Sequence, residues 1–262
     1  MSRPKVVILN SASVDGRLAV SPERLLLYGD ERWQAIESWS PIAPQESVFA
    51  RLKTLHAPQA TLEGSGSFVP RGHTPEPLPF YEGDPAPLYA DYLPQEQVKR
   101  SDHRGWFTVV DGRGRGRDWM TEGDAFGPDW VGWHLLLLVG QHTPAPYLAY
   151  LRQAQIPYLI SGEGPVDLGQ ALGKMRTKLG VDCVLSTAGG RLNGALLRAG
   201  LVDEVNVEFL PAIIGGTETP SLYDAPSLAA DEWPAQLDLI SCQVRSGRVW
   251  LRYRVCASTQ AP

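Results

Sequence analysis

An α/β fold, with a mostly parallel sheet that ends in an antiparallel hairpin, is what this sequence predicts. Short β-branched or apolar runs alternate with longer segments of helical periodicity, the pattern of strands crossed over by helices. Paired glycines, Gly189 and Gly190, join one apolar run to a helix-like segment. The last two apolar runs, Leu237 to Val244 and Val249 to Val255, are joined through Ser246-Gly247, a hairpin signal that puts an antiparallel edge on the sheet.

Taken in chain order, strands are expected at Lys5 to Asn10, Ala60 to Glu63, Trp106 to Val110, His134 to Val139, Ile156 to Ile160, Cys183 to Ser186 and Glu204 to Leu210, ahead of the terminal pair. Helices are expected at Glu46 to His56, Pro144 to Ala154, Asp167 to Leu179 and Leu192 to Ala199. In the third, Leu168, Leu172, Met175 and Leu179 share one face, and Gly180 supplies a C-cap. Seven prolines from Pro70 to Pro94 mark a segment without clear periodicity at about 68–104. Its length suits a lid, an oligomer arm or a disordered insertion.

A chain of 262 residues can bury ample apolar surface, so a single domain over 1–262, interrupted by that Pro-rich insertion, is expected. Hydrophobic (43%) and charged (20%) contents are those of a soluble globular protein and do not favour disorder. No apolar stretch approaches the roughly 20 residues of a bilayer span, and no signal segment is evident, so a cytoplasmic protein without a membrane partner is expected. The formal charge of −5 gives no global attraction for nucleic acid. Cys183, Cys242 and Cys256 lack C-x-x-C spacing and read as buried thiols. The five histidines, His56, His73, His103, His134 and His142, show no metal spacing and read as surface or capping residues, and no metal is expected.

The most informative stretch runs from Ser186 to Glu204. A buried strand enters Gly189-Gly190 and passes directly into a helix, so peptide N–H groups there can approach a phosphate closely. A tight turn without a ligand explains the same pair, which is not the G-x-G-x-x-G fingerprint. Arg113, Arg115 and Arg117 alternate with Gly112, Gly114 and Gly116 just after a strand. Guanidinium forks on a flexible loop suit the extra phosphate of NADP, although a solvated basic loop has the same composition. Asp15 can protonate or polarise a substrate, or can simply shape an Asp-Gly turn with Gly16. Trp33, Trp39, Trp106, Trp119, Trp130 and Trp133 lie in the first half, where they can wall a flat heterocycle, the core or a dimer interface.

The stretch Gly189, Leu192-Asn193, Leu196-Leu197 and Gly200 to Glu204 resembles the "EGGxxLNxxLLxxGLVDE" signature of the reductase domain in the riboflavin-biosynthesis deaminase/reductase family. In the same order, Ala12 to Gly16 is similar to that family's "A-x-S-L-D-G", Leu62 to Ser67 to its "G-x-G-T", Val109 to Asp111 to its "V-V-L-D-S", and Pro211 with Gly215-Gly216 to its "P-x-x-x-G-G". The resemblance implies a dihydrofolate-reductase-like three-layer α/β/α fold and NADPH lying across the strand ends. It implies cofactor contacts at Ala12, Ser67, Gly189, Gly190, Arg191, Leu192 and Asn193, and the Gly-Arg loop by its own composition offers Arg113 and Arg115 to the 2′-phosphate. It also implies a homodimer.

Two departures bear on the substrate. Thr187 stands where the family has a glutamate that holds its pyrimidine, and Arg71 stands where it has the aspartate of "D-x-P". The deaminase pattern of H-x-E with P-C-x-x-C is missing, as are G-x-S-x-G, G-x-x-x-x-G-K-[ST] and H-E-x-x-H. The chain is therefore expected to be an NADPH-dependent reductase of a small heterocyclic or ribosylamino-pyrimidine-like molecule, acting without its own covalent machinery. A non-catalytic nucleotide-binding relative, and a true 5-amino-6-(5-phosphoribosylamino)uracil reductase, are the alternatives.

Overall fold

The structure is a computed structural model and describes residues 2–23, 29–70 and 72–256. Its strands are β1 (Lys5–Ser13), β2 (Ala60–Gly64), β3 (Gly105–Val110), β4 (Trp133–Val139), β5 (Tyr158–Ile160), β6 (Cys183–Ser186), β7 (Glu204–Leu210), β8 (Leu237–Arg245) and β9 (Arg248–Val255). Its helices are α1 (Glu31–Ser38), α2 (Val48–His56), α3 (Gln95–Val98), α4 (Ala145–Gln153), α5 (Leu168–Leu179) and α6 (Gly190–Arg198). Every strand expected from the sequence is present, and the fold is the mostly parallel, three-layer α/β type with an antiparallel C-terminal pair.

The chain forms two compact units. One holds Met1–Pro4, Pro58–Ser65 and Gly72–Val184, the other Lys5–Ala57, Gly66–Arg71 and Leu185–Pro262. Neither is a contiguous stretch, because the chain passes from one to the other repeatedly.

In the first unit the strand order is β5-β4-β3-β2, all parallel. All seven residues of β4 are buried, as a parallel strand covered on both faces requires. Helix α5 starts where the Asp167 carboxylate accepts from the Gln170 amide and ends at Gly180 in the left-handed region, as its sequence predicts. Strand β5 begins after Pro157, whose missing N–H shortens the run expected from Ile156. The Pro-rich segment is anchored in its second half. Tyr92 and Tyr158 exchange both backbone hydrogen bonds at 2.9 Å, and Asp91 accepts from the Ile160 amide and the Lys174 and Lys178 ammoniums. That half covers the outer edge of β5.

In the second unit the strand order is β1, β7, β9 and β8. β1 and β7 run parallel, with Val7 opposite Glu204, and β7–β9 and β9–β8 are antiparallel. Ser246 and Gly247, both at positive φ, make the tight turn of the hairpin. Helix α1, which the sequence reading lacks, is capped by Asp30 and packs Trp33 and Ile36 against Leu210. Cys183 is buried as expected, but Cys242, on the outermost strand β8, is exposed. No described helix is long and apolar enough to cross a membrane.

Two histidines depart from the expected surface placement. His134 lies within β4, 2% exposed, its Nδ1 3.0 Å from the Glu122 carboxylate, and His103 stacks on it at 5.2 Å. The tryptophans divide as well: Trp33, Trp106 and Trp133 belong to the core, whereas Trp39 is exposed.

Candidate functional site

The start of α6 is built from within by two asparagines. The Asn193 carboxamide donates to Asn10 Oδ1 (2.8 Å) and to the Ala188 carbonyl (2.7 Å), and its oxygen accepts from Ser186 Oγ (2.7 Å). Asn10 donates to the same Ala188 carbonyl at 3.0 Å. All four groups lie in the interior, where an unpaired amide would be costly, so each supplies the other's partner. Asn193, expected to face a cofactor, instead holds the β6–α6 loop from behind. Asn10 and Ser186, which brace this loop, are not among the residues that the sequence singles out; the available signal is an asparagine inside the apolar run of β1.

The two glycines of the loop have different physical reasons. A side-chain carbon on Gly190 would overlap the Ser221 carbonyl oxygen and crowd the Asp224 amide, which donates to the Gly190 carbonyl at 3.0 Å. Gly190 is thus required by close approach of this chain's own backbone. At Gly189 such a carbon would meet nothing within 4 Å, and the residue is exposed. Gly189 is also the N-cap of a nine-residue helix and makes no side-chain cap, in contrast to Asp30, Ser47 and Asp167 at α1, α2 and α5. An anion can therefore reach the amides of the first turn of α6 from the Gly189 side, where the helix dipole favours it. Arg191 is exposed beside this opening, and Leu192 is half-buried.

Asp15 does not fit the acid role. Its Oδ1 accepts from Ser13 Oγ (2.6 Å) and the Ile214 amide (3.1 Å), and its Oδ2 accepts from the Gly215 amide (2.7 Å). The Ser13 hydrogen bond above all, helped by the two amides, outweighs the opposing cost of burial and holds the carboxyl down at about 2. At neutral pH it has no proton to give. It clamps the turn after β1 to the loop after β7, the turn role left open by the sequence.

In the first unit, the Gly-Arg loop is packed rather than flexible. Asp111 Oδ2 accepts from the Gly116 amide (2.8 Å) and the Tyr147 hydroxyl (2.9 Å), which in turn accepts from Trp119 Nε1 (3.0 Å). A side chain on Gly114 would strike the Tyr147 ring, and one on Gly116 the Trp119 ring. Arg117 donates to the Gly114 and Gly116 carbonyls and lies over Tyr147 at 5.4 Å. Arg113 is exposed, and Arg115 is half-buried with an enclosed, unpaired Nε. Burial first, then the neighbouring Arg113 charge, lowers the Arg115 pKa.

Of the other predicted residues, Ala12 is fully buried in β1, so only its backbone can meet a ligand. Ser67 ends a 3-10 turn after β2, half-buried, and Thr187 is half-buried between β6 and Ala188. Arg71 lies outside the described residues. Asn10, Asn193, Asp15, Thr187 and Gly189 all belong to the second unit, where the turn after β1 and the β6–α6 loop follow the C-terminal ends of their strands.

This architecture defines a class. The fold is shared with a pyrimidine reductase-like protein from Corynebacterium diphtheriae (TM-score 0.61, 14% identity, 97% of this chain and 93% of that one). It is also shared with Acinetobacter baumannii RibD (0.56, 17%, 97% and 58%) and the riboflavin biosynthesis reductase of Saccharomyces cerevisiae (0.53, 13%, 97% and 90%). Within that class, residues 136–251, from β4 into β9, match the family model of the RibD C-terminal domain. A 90-residue stretch is 31% identical to the 2,5-diamino-6-ribosylamino-4(3H)-pyrimidinone 5′-phosphate reductase of Methanothermobacter thermautotrophicus. That match takes in 34% of this chain and 41% of the relative, so it spans well under half of the relative's length.

Proposed function

We propose that this chain is an NADPH-dependent reductase that passes a hydride to a ribosylamino-pyrimidine-like substrate. The observation that carries the proposal is the open start of α6 at Gly189, inside the segment that matches the RibD C-terminal domain. The amides there would hold a pyrophosphate, with Arg191 beside them. The dinucleotide, when bound, supplies the hydride. The chain's own part is to orient: Asn193 and Asn10 fix the loop, and Asp15 fixes the facing turn. The relative's substrate, a ribosylamino-pyrimidinone 5′-phosphate, is the first compound to test.

Thermal shift with NADPH, NADH and neither comes first, because a ligand of the native state raises the apparent melting temperature by mass action. Absorbance of NADPH is then followed with the pyrimidinone phosphate. A larger shift with NADPH than NADH, and oxidation that depends on the pyrimidine, are expected. No shift with either nucleotide would overturn the proposal. The commitment of Asp15 to its turn favours a second reading, a nucleotide-binding relative without turnover, and tight binding with no oxidation across pyrimidine, pterin and sugar-imine compounds would select it.

A further inference from the structure

A strap from Thr219 to Ala225 crosses the strand ends of the second unit. Pro220 accepts from the Leu18 amide (2.9 Å), the Leu222 amide donates to the Gly16 carbonyl (3.1 Å), and Arg17 Nη1 donates to the Thr219 carbonyl (3.0 Å). Two residues later the Asp224 amide is bonded to Gly190, and Ala225 packs on Gly194 of α6. Tyr223 therefore sits between two backbone attachments, one to the turn that carries Asp15 and one to the start of α6.

The Tyr223 hydroxyl is enclosed and has no hydrogen-bond partner among the described residues, although the residue as a whole is partly exposed. With burial as the cause, the phenol's pKa is raised, so it stays a donor. An enclosed hydroxyl without a protein partner is destabilising, and native proteins seldom keep one without a use. A partly exposed tyrosine can turn to bring the hydroxyl out once a better partner arrives. The half-wet, half-apolar character of tyrosine suits the edge of a flat, polar ring.

We infer that Tyr223 is a specificity-determining residue of the proposed site, its hydroxyl pairing with a carbonyl or ring nitrogen of the planar heterocycle bound at the strand ends. This rests on the reductase reading. Nicotinamide and pyrimidinone share that chemistry, and the test separates them.

The full chain and Tyr223→Phe are compared by thermal shift and titration, first without ligand, then with NADPH, then with 2,5-diamino-6-ribosylamino-4(3H)-pyrimidinone 5′-phosphate. Removing the unpaired hydroxyl should leave the ligand-free melting temperature equal or higher. Affinity for one of the two ligands should fall about three- to tenfold, the range of one hydrogen bond, and the ligand affected identifies the partner. Unchanged affinity for both overturns the inference while the reductase reading stands. So does a lower ligand-free melting temperature, which would mean that the hydroxyl has an internal partner. A wild-type chain that responds to neither compound overturns the reductase reading and this inference with it.

Discussion

The carboxamides of Asn193 and Asn10 meet at 2.8 Å between α6 and β1, and both side chains are nearly or fully buried. They close a ring of hydrogen bonds through the Ala188 carbonyl, on which the geometry of the loop before α6 depends. Asn193→Ala takes the donor from Asn10 Oδ1 and the acceptor from Ser186 Oγ, and should cost about 2–4 kcal/mol in urea denaturation. An unchanged midpoint would show that the loop is held by something else.

Gly189 and Gly190 should respond oppositely to alanine. Gly190→Ala forces the strap away from α6 and should cost about 1–3 kcal/mol, as overpacking does. Gly189 has φ −69° and open space, so Gly189→Ala should leave the melting temperature within a degree or two. If the opening holds a pyrophosphate, the same alanine narrows it and should weaken NADPH in titration calorimetry. Equal affinity in Gly189→Ala and wild type would count against that use of the helix start.

Asp15→Ala removes the acceptor for Ser13, Ile214 and Gly215 at once, and should lower stability by about 1–3 kcal/mol. Because the carboxyl titrates near 2, no group in the pH–rate profile between 4 and 8 should belong to it. An acidic limb near 6 that vanishes in Asp15→Asn would reinstate the acid role.

Stability should fall in two stages as pH is lowered. Burial depresses the pKa of both His56 and His103 below the ordinary 6.5, for His103 with the charge of His134 adding to it. Below about 6.5 the unfolded chain takes up protons that the native state refuses, so stability drops with pH from there. Asp15, Asp102 and Glu204 are held at about 2, the first two mainly by a side-chain hydrogen bond, from Ser13 and Arg100, and Glu204 by Arg252 and its neighbours against the cost of burial. Their contribution is complete above the ordinary carboxylate range and is lost from about 4.5 down to 2. Urea midpoints from pH 8 to pH 3 would show both stages, and His103→Gln should flatten the first.

The arginines of the Gly-Arg loop should separate by role. Arg117→Ala loses two carbonyl partners and its seat on Tyr147, and should cost about 1–2 kcal/mol. Arg113→Ala, at an exposed site, should be neutral to stability in the same assay.

Elements with strong local signals were legible. The buried, mostly apolar run of β4, the one-sided apolar face of α5 with its glycine stop, and the Ser246-Gly247 turn each state their structure within a few residues. Helix α1 is weak because only Trp33 and Ile36 of its eight residues are buried. What the sequence leaves invisible is long-range. Asp15 reads as a catalytic candidate until the Ile214 and Gly215 amides arrive from 199 and 200 residues away. Gly190 reads as a phosphate contact until Ser221 is seen against it. The glycines of the Gly-Arg loop read as freedom, whereas Tyr147 and Trp119 use them as floor space.

The pairing of β1 with β7 also sets a timetable for synthesis. Val7 lies opposite Glu204, so β1 has this neighbour delivered roughly 10 to 40 s after it is synthesised, at ordinary elongation rates. Until then Val6 to Leu9, among the most deeply enclosed residues of the finished molecule, are open to any other nascent chain. A long wait between the making of β1 and the arrival of β7 is what this pairing imposes on synthesis.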